Sequence, residues 1–327
     1  MCGIVGIFSP SLLSPQEKEI ARLFFYLDVI RGFDSSGCIL YNNKKKGRNA
    51  YNYFKKVGLP DQLEIIPDYN HQMNQHLNLF VGHNRKATSG NISEENAHPF
   101  HKGHILGVHN GTLYPEDMSF LRRTTKQAFT QGITDSELFF EALQNNSIAD
   151  LWKEIHGAKT FVWINTKDNT LNIASNGKRP FFYWISASNT LFFASEEWIL
   201  DIGIRKKMKH AQVDATPLAK NKHYKISLGN GRIQINMTDL EEPPEKLPFF
   251  TPHHNYRHWI KKNFNFNLSK DEFVFREDGT SIRKSEVYKL KCSYCDDSLT
   301  PHTAELISPD LQLCEECSEI AKYCQFV

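Results

Sequence analysis

The order of apolar and polar residues divides this chain into a few helical runs set among many short strand-like ones. Ile20, Leu23, Phe24, Leu27 and Ile30 recur at helical spacing until Gly32 closes the run. Ser14 and Glu17 stand ahead of it at capping-box distance, with Pro15 in the first helical position, so a helix is predicted to start there. Thr134 and Glu137 repeat that capping-box signature before Leu138, Phe139, Ala142 and Leu143. Ile148, Leu151, Trp152 and Ile155, ended by Gly157, predict a third helix.

Strands are predicted at 3–8, 37–41, 79–82, 105–109, 160–165, 171–175, 181–186, 191–195, 223–227 and 232–236. Most follow one another directly or flank a helix of moderate length, without regular βαβ alternation. That order favours an α+β class, with stacked, largely antiparallel sheets covered by helices.

Composition changes the picture little over the first 240 residues. Hydrophobic residues make up 40% and charged residues 23% of the 327, enough for a sizeable core. A formal net charge of +2 gives no general case for nucleic acid or membrane. The longest apolar-rich run, Leu23 to Ile30, contains Asp28 and is too short to span a bilayer. No secretory leader is read ahead of Cys2, and seven cysteines, mostly in Cys-x-x-Cys pairs, suit a reducing compartment. A cytoplasmic protein is expected.

Near residue 241 the character shifts. Glu241-Glu242-Pro243-Pro244-Glu245 reads as a linker, and the residues from 241 onward carry 11 basic against 15 acidic side chains. Three regions are predicted: 2–240, a linker with a hairpin over 241–290, and a small module over 291–327. The hairpin is expected between Asp271–Arg276 and Val287–Lys291.

Candidate chemistry begins at Cys2. Removal of Met1 ahead of a small second residue would put a free α-amine and a thiol on one residue. An α-amine titrates at about 7.7–8.0, so it can take the thiol's proton as a built-in base. Taken alone, Cys2 reads better as a small apolar residue opening a buried strand.

Five ordered blocks follow: Arg31-Gly-Phe-Asp34-Ser-Ser-Gly37, Gly82-His83-Asn-Arg85-Lys86-Ala-Thr88, Asn96-Ala-His98-Pro-Phe100, His109-Asn110-Gly111 and Thr134-Asp135-Ser-Glu137. Behind an N-terminal cysteine, they resemble the glutaminase domain of class II glutamine amidotransferases, over about 2–236. Ser175–Pro180 and Ala194-Ser195-Glu196 resemble that domain's closing strands. The resemblance implies a four-layer αββα N-terminal nucleophile hydrolase sandwich.

It also implies roles. Cys2 would be the nucleophile. Asn110 would offer a side-chain amide and Gly111 a backbone N–H to the oxyanion. Arg85 would bind the α-carboxylate of L-glutamine as a planar, two-pronged cation, and Asp135 its α-ammonium. Thr88 and Arg31 complete the substrate-binding set, Arg31 shaping the floor around the nucleophile with Asp34. Read without these neighbours, Asn110-Gly111 is a hairpin turn and Asp135 a favourable acid in a helix's first turn. His83, His98 and His109 are expected to hold loops by hydrogen bonds, and Cys38 to be a buried small hydrophobe. Lys86 departs from the pattern, which has an aromatic there, in a loop expected to close over glutamine.

The tail carries Cys292, Cys295, Cys314 and Cys317 as C-x2-C-x18-C-x2-C, a spacing that supplies four thiolates to one structural zinc. Catalysis itself calls for no cofactor. Residues after 240 show no phosphate loop or synthetase signature, so the ammonia acceptor is expected on a separate synthase subunit docked by the zinc module. The alternatives are a stand-alone hydrolase of glutamine or a γ-glutamyl amide, and a non-enzymatic binding protein on the same fold. A local stretch of His253, His254, Arg257, His258, Lys261 and Lys262 keeps nucleic acid open for the tail, although its net acidity opposes it.

Overall fold

The computed structural model describes residues 1–42, 45, 50–87, 90–125 and 134–244, with 273–275, 281–283, 287, 289–291, 298–299, 304–308 and 311–314 in the tail. The chain separates into two compact units, Met1–Glu245 and Lys246–Val327.

In the first unit, β1 (Gly3–Phe8) leads to α1 (Pro15–Leu27) and a 3-10 turn (Asp28–Arg31). Then come β2 (Ser35–Tyr41), β3 (Tyr51–Val57), α2 (Asp61–Glu64), α3 (Pro67–Asn74) and β4 (Leu79–Arg85). The middle of the unit holds β5 (Phe100–Lys102), β6 (Ile105–Leu113), α4 (Pro115–Thr125), α5 (Asp135–Leu143) and α6 (Ile148–Trp152). It closes with β7 (Gly157–Asn165), β8 (Thr170–Ser175), β9 (Phe182–Ile185), β10 (Leu191–Ala194), α7 (Glu197–Lys207), β11 (Thr216–Pro217), β12 (Lys222–Gly229) and β13 (Arg232–Asp239).

The strands form a seven-stranded sheet, β11-β9-β10-β1-β4-β2-β3, and a six-stranded sheet, β13-β12-β8-β7-β6-β5. Their pairings are antiparallel, as in β1 against β4 and β10, and β6 against β5 and β7. Ile4, Phe8, Ile39 and Val81 of the first sheet pack on Leu106, Val108, Val162 and Ile173 of the second. Val5 and Ile7 turn the other way, onto Ile20 and Phe24 of α1 and Leu200 and Ile204 of α7. On the far side Phe161 and Trp163 of β7 meet Leu138, Phe139, Leu151 and Trp152 of α5 and α6. The layers are therefore helix, sheet, sheet, helix. β1 is buried on both faces, which is why it reads as a continuous apolar run rather than an alternating one.

Local signals explain several boundaries. The Ser14 and Glu17 box is reciprocal: the Glu17 N–H donates to Ser14 Oγ at 3.2 Å, and the Ser14 N–H to Glu17 Oε2 at 2.8 Å. Beyond Leu27 the chain tightens into the 3-10 turn, whose three residues per turn break the α stripe. Ile30, expected on the buried face, is consequently 72% exposed, while Arg31 turns inward. At α5 the capping is one-sided. Thr134 Oγ1 accepts the Glu137 N–H, but the Glu137 carboxylate reaches Lys102 Nζ at 2.7 Å instead of completing a box. Asn110-Gly111 lies inside β6 rather than in a turn.

The first unit's order continues past residue 240. Leu240 is buried among the α5–α6 side chains, Glu242 pairs with the buried Lys159 at 3.1 Å, and the Pro244 carbonyl meets His156 Nε2 at 3.2 Å.

In the second unit, β14 (Phe273–Phe275) and β15 (Ser281–Arg283) form an antiparallel hairpin, as do β16 (Ala304–Ser308) and β17 (Leu311–Cys314). The first hairpin uses 281–283 as its returning strand, not the predicted 287–291; Val287 is buried and Lys291 bridges Ser298. Cys292, Cys295 and Cys317 lie outside the described residues, and Cys314 is described only by its backbone at the end of β17. The basic stretch over 253–262 also lies outside them. Among the described residues, no helix is long and apolar enough to cross a membrane.

Candidate active site

The start of β1, the end of β4, the later half of β6 and the first turn of α5 converge on one small pocket. Strand register makes this convergence. Gly3 pairs with Asn84, which places Cys2 beside Arg85, and β6 runs in the sheet that faces β1. Cys2, Arg85, Gly111 and Asp135 all line the pocket.

Cys2 is 9% exposed, and its Sγ–H donates to the Lys86 carbonyl at 3.3 Å. Burial pushes the thiol up, while the terminal ammonium, Arg85 and Arg31 pull it down. Arg31 stands behind it. Its Nε donates to the Cys2 carbonyl at 2.9 Å, and its Nη1 forms an ion pair with Glu196. Arg31 thus fixes the backbone of Cys2. Asp34 anchors the neighbouring loop, since its Oδ2 accepts the Ala87 N–H at 2.8 Å. Thr88 lies outside the described residues.

Arg85 is buried, and Asp34, Asp135 and Cys2 act on its guanidinium. Asp135 is the first residue of α5, directly after the Thr134 cap. Its Oδ2 accepts the Leu113 N–H at 2.9 Å and its Oδ1 the Ser136 N–H at 2.9 Å. A cation and an anion on opposing elements suit the two ends of a zwitterionic α-amino acid.

The β6 edge supplies a donor. The Leu113 N–H points away from β7, toward Asp135, and strand geometry puts the Gly111 N–H on that same edge. β5 covers β6 only as far as Gly107, so this edge is open at the pocket. Gly111 sits at φ 155°, and a Cβ there would meet the Ala158 carbonyl at 2.0 Å. Only glycine fits. Asn110 points between the sheets, where its Nδ2 approaches Ser195 Oγ at 3.4 Å.

Ser195 carries more than the sequence suggested. It is fully buried, and its Oγ also accepts the Ile4 N–H at 2.9 Å, joining Asn110 to the first peptides of β1. Glu196 was visible only as part of a closing strand, because an ion pair across 165 positions leaves no local pattern. Ser136 lines the pocket and meets His109 Nδ1 at 2.9 Å.

The three histidines differ. His83 Nε2 contacts the His109 carbonyl at 3.0 Å, and burial pulls its pKa down to about 3. Burial also lowers His109, which stacks on Phe161 at 4.2 Å. His98, packed on the His83 ring at 4.1 Å, has no hydrogen-bond partner on either ring nitrogen among the described residues, against the expectation of a loop-holding bond. Burial holds it neutral too. Lys86, where an aromatic was expected, lays its Nζ over the Phe33 ring at 4.6 Å.

Residues 83–201 match the family model described as a glutamine amidotransferase domain. The glutamine–fructose-6-phosphate aminotransferase of Bartonella henselae is 30% identical over 55% of this chain and 29% of its own length. The amidophosphoribosyltransferase of Staphylococcus aureus is 25% identical over 62% of this chain and 41% of its own. Among solved structures, glutamine phosphoribosylpyrophosphate amidotransferase from B. subtilis superposes with a TM-score of 0.53 at 16% identity, covering 72% of this chain and 49% of that one. The chain thus spans well under half the length of these curated relatives. The chain is thus similar in sequence to glutamine amidotransferases, over residues 83–201 to the domain itself, and similar in fold to a solved amidotransferase.

Proposed function

We propose that this chain hydrolyses L-glutamine to glutamate and ammonia through a thioester on Cys2. The observation that carries the reading is the pocket that gathers Cys2, Arg85, Gly111 and Asp135 from four separate elements. Once Met1 is removed, the Cys2 α-amine takes the thiol proton and the sulfur attacks the side-chain amide carbon. The Gly111 N–H, on the open edge of β6, and the Asn110 amide receive the oxyanion. The amine's new proton goes to the leaving nitrogen, ammonia departs, and water releases glutamate from the thioester. Arg85 holds the α-carboxylate and Asp135 the α-ammonium, with Thr88 and Arg31 supporting them.

The ammonia is proposed to pass to a separate synthase subunit, which the C-terminal module docks. In that module Cys292, Cys295, Cys314 and Cys317 would hold one structural zinc, folding it around four thiolates. The spacing of the cysteines supports this assignment.

Glutamate and ammonia release by purified protein, compared with Cys2→Ala, tests the hydrolysis. Equal release by both would defeat it. Co-purification from the native host tests the partner. A synthase that raises the rate supports the subunit reading, and full activity with no associated protein favours a stand-alone hydrolase.

A further inference from the structure

Directly beneath the nucleophile's neighbour lies a carboxyl group that the reaction as described does not use. Asp28 is fully buried in the 3-10 turn. A Cβ built on Gly3 would come within 2.1 Å of both its carboxyl oxygens, so the group is pressed against the residue bonded to Cys2. Oδ2 accepts the Asn84 Nδ2–H at 3.1 Å, while Oδ1 has no partner among the described residues. A buried carboxyl oxygen without a partner is costly and calls for a group to satisfy it.

The surroundings say which sign that group should have. Arg31 and Asn84 favour the charged carboxylate, Glu196 opposes it, and the terminal ammonium on Met1 already acts on it. Arg31 and Glu196 are paired with each other, and Asn84 also donates to the Phe25 carbonyl at 2.9 Å. Removing Met1 brings the terminal amine one residue nearer, onto Cys2 itself.

We propose that Asp28 is a positioning residue for the base of the reaction, holding a proton jointly with the α-amino group of mature Cys2, directly or through one water. The inference rests on the proposed Cys2 chemistry. During attack the S–H bond breaks and an N–H bond forms on the amine. The Asp28 carboxylate accepts a hydrogen bond from the resulting ammonium and stabilises it until its proton passes to the departing ammonia. The logic is that of a buried acid behind a catalytic base. Burial pushes Asp28 up to about 8, close to an α-amine's usual range, so the two groups would titrate as a coupled pair.

Carboxyl-carbon NMR of Asp28, in mature protein and in protein retaining Met1, tests the pairing without any assay of turnover. The Asp28 titration is expected to move to lower pH when Met1 is removed. An unchanged titration overturns the proposal. Asp28→Asn, compared in steady-state kinetics and in the pH profile of Cys2 alkylation, provides the second readout. It should lower kcat by about tenfold or more with KM within about twofold, and shift the alkylation profile. Wild-type kcat and profile in that variant also overturn it. If wild type itself releases no glutamate, the proposed hydrolysis fails, but the NMR result still decides the pairing.

Discussion

Leu113 and Asp135 are joined by a 2.9 Å hydrogen bond from the strand N–H to the carboxylate, so one acid both faces the pocket and fastens α5 to β6. Its two functions can be separated. Asp135→Asn keeps an acceptor for Leu113 but loses the charge. KM for glutamine should rise by roughly 10–150-fold, the equivalent of about 1.5–3 kcal/mol for a charged hydrogen bond, with kcat preserved. Asp135→Ala should also lower the melting temperature. Steady-state kinetics beside calorimetry distinguish the two variants.

The proposed oxyanion donors should behave in the opposite way. Asn110→Ala is expected to lower kcat by about 10²–10³-fold with little change in KM. Ser195→Ala, which removes the acceptor of the Ile4 N–H and the neighbour of Asn110, should lower kcat by less. Gly111→Ala meets the Ala158 carbonyl and should lose both activity and stability.

Much of the fold was legible because its signals are local. The Ser14–Glu17 box and the apolar strands Gly3–Phe8 and Leu191–Ala194 stand where hydrophobic pattern and capping chemistry place them. β3 escaped notice because Tyr51–Val57 mixes Asn52, Lys55 and Lys56 among aromatics at a half-buried edge. In the pocket, the motif residues were visible and their supports were not. Ser195, Glu196 and Asp28 act through contacts that exist only after distant strands pair. Lys86 was flagged as unusual, but that its carbonyl rather than its side chain touches Cys2 needed coordinates.

Protonation sets a stability maximum. His83 falls to about 3, and His98 and His109 are also lowered, so the folded protein binds fewer protons than the unfolded chain below about 6.5. Their contribution is complete above about 6.5 and is lost as pH falls. Asp28 has the opposite sign. Its raised pKa stabilises fully below about 3.9, and that contribution is lost as pH rises toward about 8. Melting temperature should therefore peak near pH 6.5 or so. In protein retaining Met1, Asp28→Asn should melt higher than wild type by a margin that grows from about pH 4 to about pH 8. Thermal melts across that range check both signs.

Metal content and chain length test the division of labour. The full chain should bind about one zinc per molecule, and Cys314→Ser should lose it. A chain ending at 245 should keep its fold and Cys2 reactivity without metal. Cutting at 240 also removes Glu242 and leaves Lys159 buried without that carboxylate, so the shorter version should melt lower. Equal melting of the two would show that the Glu242 pairing adds nothing.

The most direct measurement is mass spectrometry of protein treated with 6-diazo-5-oxo-norleucine, a reactive glutamine analogue. We expect one covalent adduct, on the sulfur of Cys2, in a chain from which Met1 has been removed, with glutamine slowing its formation. Glutaminase-active protein that retains Met1, or an adduct on any other residue, would contradict the assignment of Cys2 as the nucleophile.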